Sequence, residues 1–138
     1  MRKRIFINAP LSTLAEQQFN EEIAQIMTDL GFEFYLPQEA IPPANSTSAT
    51  SIFEANLQAV KNCDIVLSIL DKPGLGVIFE LAYALAINKP VILFRSDKQD
   101  YLGKVIEGLW EKHDPKNKSR TLEQLKRILK TYKEKQKQ

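Results

Sequence analysis

The chain has 138 residues, with 19 Lys or Arg against 17 Asp or Glu, one His and one Cys. That length can bury a substantial core without staples, so a single domain over residues 1–138 is expected. One His and one Cys exclude both an intramolecular disulfide and a clustered zinc site, and no apolar run nears the roughly 18 residues a membrane span needs.

No basic segment followed by an apolar stretch precedes the first strand, and Cys63 stands alone, so a reducing, cytoplasmic setting is expected. Charge is uneven: residues 112–138 hold ten Lys or Arg against three acids, leaving nine against fourteen for residues 1–111. Binding of nucleic acid calls for a basic face with aromatics for stacking, and the last helix offers only Tyr132. Its Leu122, Leu125, Ile128, Leu129 and Tyr132 recur at helical spacing, so one side docks on the body and the basic side is read as a solvated face.

In chain order, Arg4 to Asn8 reads as a strand, with Ile5, Phe6 and Ile7 ending at the turn-former Asn8 before Pro10. Thr13 to Glu16 matches a capping box. Phe19, Ile23, Ile26, Met27 and Leu30 then share a helical face that stops at Gly31. Phe32 to Leu36 is the second strand. Pro37 to Thr50, with three prolines and a polar run, is expected to be a mobile loop over the site. Ser51 to Glu54 forms a second capping box, and Phe53, Leu57 and Val60 carry a helix to about Asn62.

Asp64 to Leu70 reads as a buried parallel strand, because Ile65, Val66, Leu67, Ser68 and Ile69 form a short apolar run bounded by turn residues. A glycine-rich loop leads into a helix reaching about Ile87, with Glu80 expected in its first turn. Pro90 to Phe94 is the fourth strand and Tyr101 to Lys112 a further helix. A third capping box, Thr121 to Gln124, opens the terminal helix; whether a fifth strand lies between these two helices stays open. The β-α-β-α-β-α-β order selects a doubly wound α/β fold: a parallel sheet of four or five strands with right-handed crossovers and helices on both faces.

In open α/β sheets, ligands bind outside the carboxyl ends of the strands, which puts Glu80 beside a cleft. A carboxylate in a first helical turn gains roughly 0.3–1 kcal/mol from the helix dipole and needs no chemistry to justify it. The setting also suits a nucleophile: Gly74 and Gly76 permit close backbone approach, Phe79 and Tyr83 can form apolar walls, and helix amides would keep the carboxylate ionised. An oriented, ionised carboxylate suits attack on an electron-poor sugar carbon.

Four blocks resemble successive parts of the nucleoside 2-deoxyribosyltransferase family: residues 5–10 (Ile-Phe-Ile-Asn-Ala-Pro), 62–66 (Asn-Cys-Asp-Ile-Val), 76–84 (Gly-Val-Ile-Phe-Glu-Leu-Ala-Tyr-Ala) and 88–93 (Asn-Lys-Pro-Val-Ile-Leu). The resemblance implies a flavodoxin-like sheet and makes Glu80, in Gly-x-x-x-Glu-x-x-x-Ala, the nucleophile that attacks C1′ of a 2′-deoxynucleoside. It implies substrate contacts from Phe6, Asn8, Ala9, Pro10, Asn56, Asp71, Gly74 and Gly76. No metal or redox cofactor is implied; the partners implied are a nucleoside, a nucleobase and further copies of the chain in a homo-oligomer that shares active sites. The absent 2′-hydroxyl leaves the oxocarbenium-like transition state less destabilised, so a lone, well-placed carboxylate can suffice.

Departures from the family pattern are specific. Asn56 stands where an acid is common and cannot act as a general acid near neutrality. Phe6 stands where a tyrosine is frequent, and Gly74 where relatives carry an acid for the sugar or a serine for a phosphate. Asp71, three residues earlier, either replaces that acid or makes a local turn. An Asn-x-Met segment that relatives donate from a neighbouring subunit is not found; Tyr101 to Gly108 occupies its region.

Three functions follow as expectations. The first is deoxyribosyl transfer between bases. The second is hydrolysis, as in the related 2′-deoxynucleoside 5′-phosphate N-hydrolases, and the third is non-catalytic nucleoside or nucleotide binding. Phosphate needs dedicated donors, and the first loop has hydroxyls but no cation. Arg95 and Lys98 are read as solvated surface charge, which favours an unphosphorylated nucleoside.

Overall fold

Strands β1 (Arg4–Asn8), β2 (Glu33–Tyr35), β3 (Ile65–Ile69), β4 (Val91–Phe94) and β5 (Lys118–Ser119) form one sheet in the order β2-β1-β3-β4-β5. Every neighbouring pair is parallel. The computed structural model describes residues 2–40, 48–97 and 99–136. The strand order is that of the flavodoxin-like fold, in which the chain reverses direction across the sheet between β1 and β3. The open question of a fifth strand resolves to two residues, Lys118 and Ser119, which pair with Leu93 and Phe94.

Among the described residues, six α-helices accompany the sheet: α1 (Leu14–Leu30), α2 (Pro37–Ala40), α3 (Ala49–Asn62), α4 (Leu75–Ala86), α5 (Lys104–Lys112) and α6 (Leu122–Gln136). Alternation along each strand sorts the core into two layers. Ile5, Ile7, Ile65, Leu67, Ile69, Ile92 and Phe94 face α1 and α6, meeting Ile23, Met27, Leu125 and Leu129. Phe6, Val66, Val91 and Leu93 face the other way, toward Val60 of α3, Leu81 and Ala84 of α4, and the apolar side of α5. The expected docking stripe of α6 is present, since Leu125 and Leu129 are fully buried. No helix among the described residues is long and apolar enough to cross a membrane.

Local capping explains where the helices start, and in three places it corrects the sequence reading. The Thr13–Glu16 box forms in both directions, and Gly31 closes α1 at φ 84. Helix α3 is capped by Ser48, whose hydroxyl accepts from the Ser51 N–H at 3.1 Å, so it starts at Ala49 rather than at a Ser51–Glu54 box. A serine three residues upstream offers the same side-chain oxygen. At α6, Thr121 accepts from Gln124 N–H, while the Gln124 side chain reaches back to the amide of Arg120 instead of Thr121.

The third correction concerns α4. Gly74 is its N-cap, with φ −80 and ψ 178, so the helix begins at Leu75 and Glu80 lies in its second turn. The expected loop from Pro37 to Thr50 is helical at both ends; residues 41–47 of that reading lie outside the described residues.

Candidate active site at the carboxyl ends of the strands

A cavity of about 440 Å³ opens where β1 and β3 end. Ala9, Pro10, Leu11, Ser12, Thr13 and Glu16 reach it from the β1–α1 connection and the start of α1. Lys72, Gly74, Gly76, Val77 and Glu80 come from the β3–α4 side, with Pro37 and Asn56 completing the lining. The volume falls in the usual range for small-molecule sites, and the switch point of the sheet is where such a fold leaves room for one.

Glu80 is anchored by a single named contact: Asn56 Nδ2 donates to Glu80 Oε1 at 2.9 Å, across the packed pair α3 and α4. Oε2 has no hydrogen-bond partner among the described residues. Burial pushes the carboxyl pKa above its ordinary value, and the Asn56 amide pulls it partly back. The direction of this shift is opposite to the lowering expected from helix amides. The dipole effect fades within the first turn, and Glu80 sits one turn further in, where desolvation dominates. The Tyr35 phenol is raised as well, first by burial and then by the Glu80 charge, which places both groups in one electrostatic neighbourhood.

Of the residues the sequence nominated, Ala9, Pro10, Asn56, Gly74, Gly76 and Glu80 line this cavity together. Phe6, Asn8 and Asp71 do not. Phe6 is fully buried and stacks on Tyr35 with ring centroids 5.5 Å apart, so it supports the site from beneath. Asn8 is 1% exposed; its Nδ2 donates to Ser68 Oγ at 3.0 Å and to the Val77 carbonyl at 2.8 Å, tying β1 to β3 and to the first turn of α4. Asp71 accepts from Ser96 N–H at 2.8 Å, Ser96 Oγ at 2.6 Å and Asp97 N–H at 3.1 Å. These bonds match neither alternative for Asp71: it does not line the cavity, and instead of a local turn it joins the loops after β3 and β4, 25 residues apart.

The expected aromatic walls also move. Phe79 is half exposed and meets Phe53 at 6.0 Å, while Tyr83 packs on the core, so the apolar lining comes from Ala9, Pro10, Leu11 and Val77. Arg95 is not solvated charge: it is 4% exposed, forms two bonds to Glu107 at 2.9 and 2.6 Å, and donates to the Asp100 carbonyl. That pairing holds Glu107 down to about 2. Lys98 lies outside the described residues. Ile106 packs on the core and Tyr101 is exposed.

Sequence reasoning missed Tyr35, Glu16 and Lys72 as neighbours of the site. Tyr35 pairs in register with Phe6, a contact between strands 29 residues apart. Glu16 was legible as a cap but not as cavity lining. Lys72 carries φ 48, a left-handed conformation uncommon outside glycine, and nothing in Asp-Lys-Pro-Gly announces it. Gly74 and Gly76 have no positive φ, and a Cβ at either would meet nothing within 4 Å; their lack of a side chain leaves the cavity open.

A family model described as nucleoside 2-deoxyribosyltransferase matches residues 5–133. No curated protein sequence matches the chain. Among solved structures, the 2-deoxyribosyltransferase of Bacillus psychrosaccharolyticus superposes with a TM-score of 0.65 at 21% identity, over 81% of this chain and 93% of that one. A conserved protein from Enterococcus faecalis V583 gives 0.73 at 21% identity over 96% and 99%. The CMP N-glycosidase of Clostridium botulinum gives 0.64 at 20% identity over 94% and 99%. At these identities the likeness establishes the fold.

Proposed function

Because the chain belongs to the nucleoside 2-deoxyribosyltransferase family, whose model spans residues 5–133, we propose that it cleaves the N-glycosidic bond of a 2′-deoxynucleoside and passes the deoxyribose to another nucleobase. The observation that carries this reading is the Glu80 carboxylate, tethered through Oε1 by Asn56 and lining the cavity at the switch point of the sheet. Oε2 attacks C1′ as the base departs, forming a glycosyl ester. The second base then attacks C1′ and the carboxylate is restored.

The walls contribute binding rather than chemistry. Ala9, Pro10, Leu11 and Val77 present apolar surface, Gly74 and Gly76 let the substrate approach the backbone, and Ser12 and Thr13 carry hydroxyls. Burial of Glu80 strengthens its electrostatic interaction with the developing positive charge on the sugar. Exposed Leu75 and Phe79, one helical turn apart on α4, and Phe53 on α3 offer apolar surface for the homo-oligomer that the family resemblance implies.

One observation favours a second reading, hydrolysis of a deoxynucleoside 5′-monophosphate: Lys72 puts a cation in the cavity that the first loop lacks. Incubation with each deoxynucleoside and each 5′-monophosphate, with and without a free base, separates the two. Transfer gives a new nucleoside only when acceptor is present; hydrolysis gives free base and sugar without it. Glu80→Gln abolishes either activity while leaving the fold intact, and full turnover in that variant would remove the reading.

A further inference from the structure

We propose that Asn56 is a positioning residue acting through Glu80, and that it serves mainly the second half of the reaction, when the sugar leaves the carboxylate. This rests on the reading of Glu80 as nucleophile.

The geometry supplies three observations. Asn56 Nδ2 donates one of its two N–H groups to Glu80 Oε1 at 2.9 Å. Asn56 Oδ1 is buried with no partner among the described residues, so none of these orients the side chain through that oxygen. Reversing the amide would set Oδ1 against an ionised carboxylate oxygen, so the charge on Glu80 itself selects the orientation. The other ionisable groups near Glu80 are Tyr35, together with Glu16 and Lys72 in the cavity lining. Glu16 is engaged through Oε1 by the Thr13 amide.

The consequence follows from where charge resides. In the first step, Oε2 bonds to C1′ as the C1′–N electron pair leaves with the base, which takes a proton from water. Glu80 loses its charge, and the Asn56 bond falls from charge-assisted to neutral strength. In the second step, the acceptor nitrogen donates its pair to C1′, the C1′–Oε2 pair returns to Glu80, and the acceptor releases its proton to water. The Asn56 bond regains full strength as this carboxylate reforms. Asn56 therefore stabilises Glu80 as a leaving group and restrains it as a nucleophile.

The test compares wild type, Asn56→Ala and Glu80→Gln by rapid-quench release of base and by intact-protein mass after mixing with deoxynucleoside. Asn56→Ala loses only the gain of this bond from neutral to charge-assisted strength, so it is expected to slow release of sugar from the adduct by roughly five- to ten-fold. It then shows a burst of base and an accumulated glycosyl-enzyme. Equal adduct lifetimes in wild type and Asn56→Ala would overturn the proposal while leaving Glu80 as nucleophile. Base release with no adduct in any protein would overturn both.

A second measurement is independent of turnover. The Glu80 side-chain carboxyl, followed by ¹³C NMR, is expected to titrate higher in Asn56→Ala than in wild type, because the bond that lowers it is gone. An unchanged titration would also overturn the proposal. Alanine is a strong helix former, so α3 is retained in the variant.

Discussion

Asn8 offers a sharp test of how the site is held, because its two natural replacements act in different ways. The side chain is 1% exposed, its Nδ2 makes two bonds, and its Oδ1 is buried with none among the described residues. Asn8→Ala removes two neutral bonds, about 1 kcal/mol each, and leaves a small void costing up to roughly 1 kcal/mol more. It also removes the unpaired Oδ1, whose burial costs the wild type about 1–3 kcal/mol. The opposing terms leave a net loss of at most about 2 kcal/mol.

Asn8→Asp keeps the shape and reverses the chemistry. An oxygen now faces the Val77 carbonyl at the 2.8 Å position, and the buried charge has no cationic partner among the described residues, only the Ser68 hydroxyl as a donor. That situation costs about 3–5 kcal/mol, or roughly 10–15 °C in Tm for a chain of this size. Protonation would let the new carboxyl donate to Val77, so its folded pKa rises above the unfolded value. The loss shrinks as pH falls and grows as pH rises past about 4. Urea unfolding of both variants at two pH values reads these terms. An Asp variant as stable as wild type at neutral pH, or an Ala variant weaker than the Asp variant there, refutes the account.

The same linkage gives Glu80→Gln an effect on stability. The folded carboxyl holds its proton to higher pH than the unfolded one, so wild-type stability falls as pH rises from the ordinary carboxylate pKa through the raised value. The variant should therefore be more stable than wild type at neutral pH, by about 1.4 kcal/mol for each unit of displacement, and this advantage should vanish near about pH 3. A variant less stable at neutral pH would contradict it. Gly76→Ala places a Cβ in open space within α4, so stability should rise by about 0.5–1 kcal/mol while KM increases because the cavity narrows. Thermal melts and steady-state kinetics check both, and an unchanged KM would mean that substrate does not approach Gly76. Leu129→Ala empties a fully buried position between α6 and the sheet, and urea titration should show a loss of about 2–5 kcal/mol. A loss under about 1 kcal/mol would mean that α6 is not a core helix.

Much of the architecture is legible in short stretches of chain. Ile5-Phe6-Ile7 and Ile65 to Ile69 announce strands through apolar β-prone runs, and Thr13 with Glu16 announces a helix start, because each signal depends on neighbours a few residues away. The β5 pairing was not legible: Lys118 and Ser119 have no strand signal and are held by Leu93 and Phe94, 25 residues earlier. The start of α3 slipped because Ser48 and Ser51 are both competent caps, and local sequence does not rank them.

At the site, the sequence by itself determined that a lone carboxylate, Glu80, follows a glycine-rich loop after a buried strand, since order along the chain and strand polarity together assign it to the carboxyl end of the sheet. Tertiary structure alone decided its company and the direction of its pKa shift. Asn56 reaches Glu80 only because α3 packs against α4, and Tyr35 lies near because β2 pairs with β1. The carboxyl pKa rises rather than falls because desolvation is set by everything packed around a side chain, whereas a dipole argument counts only the residues of its own helix.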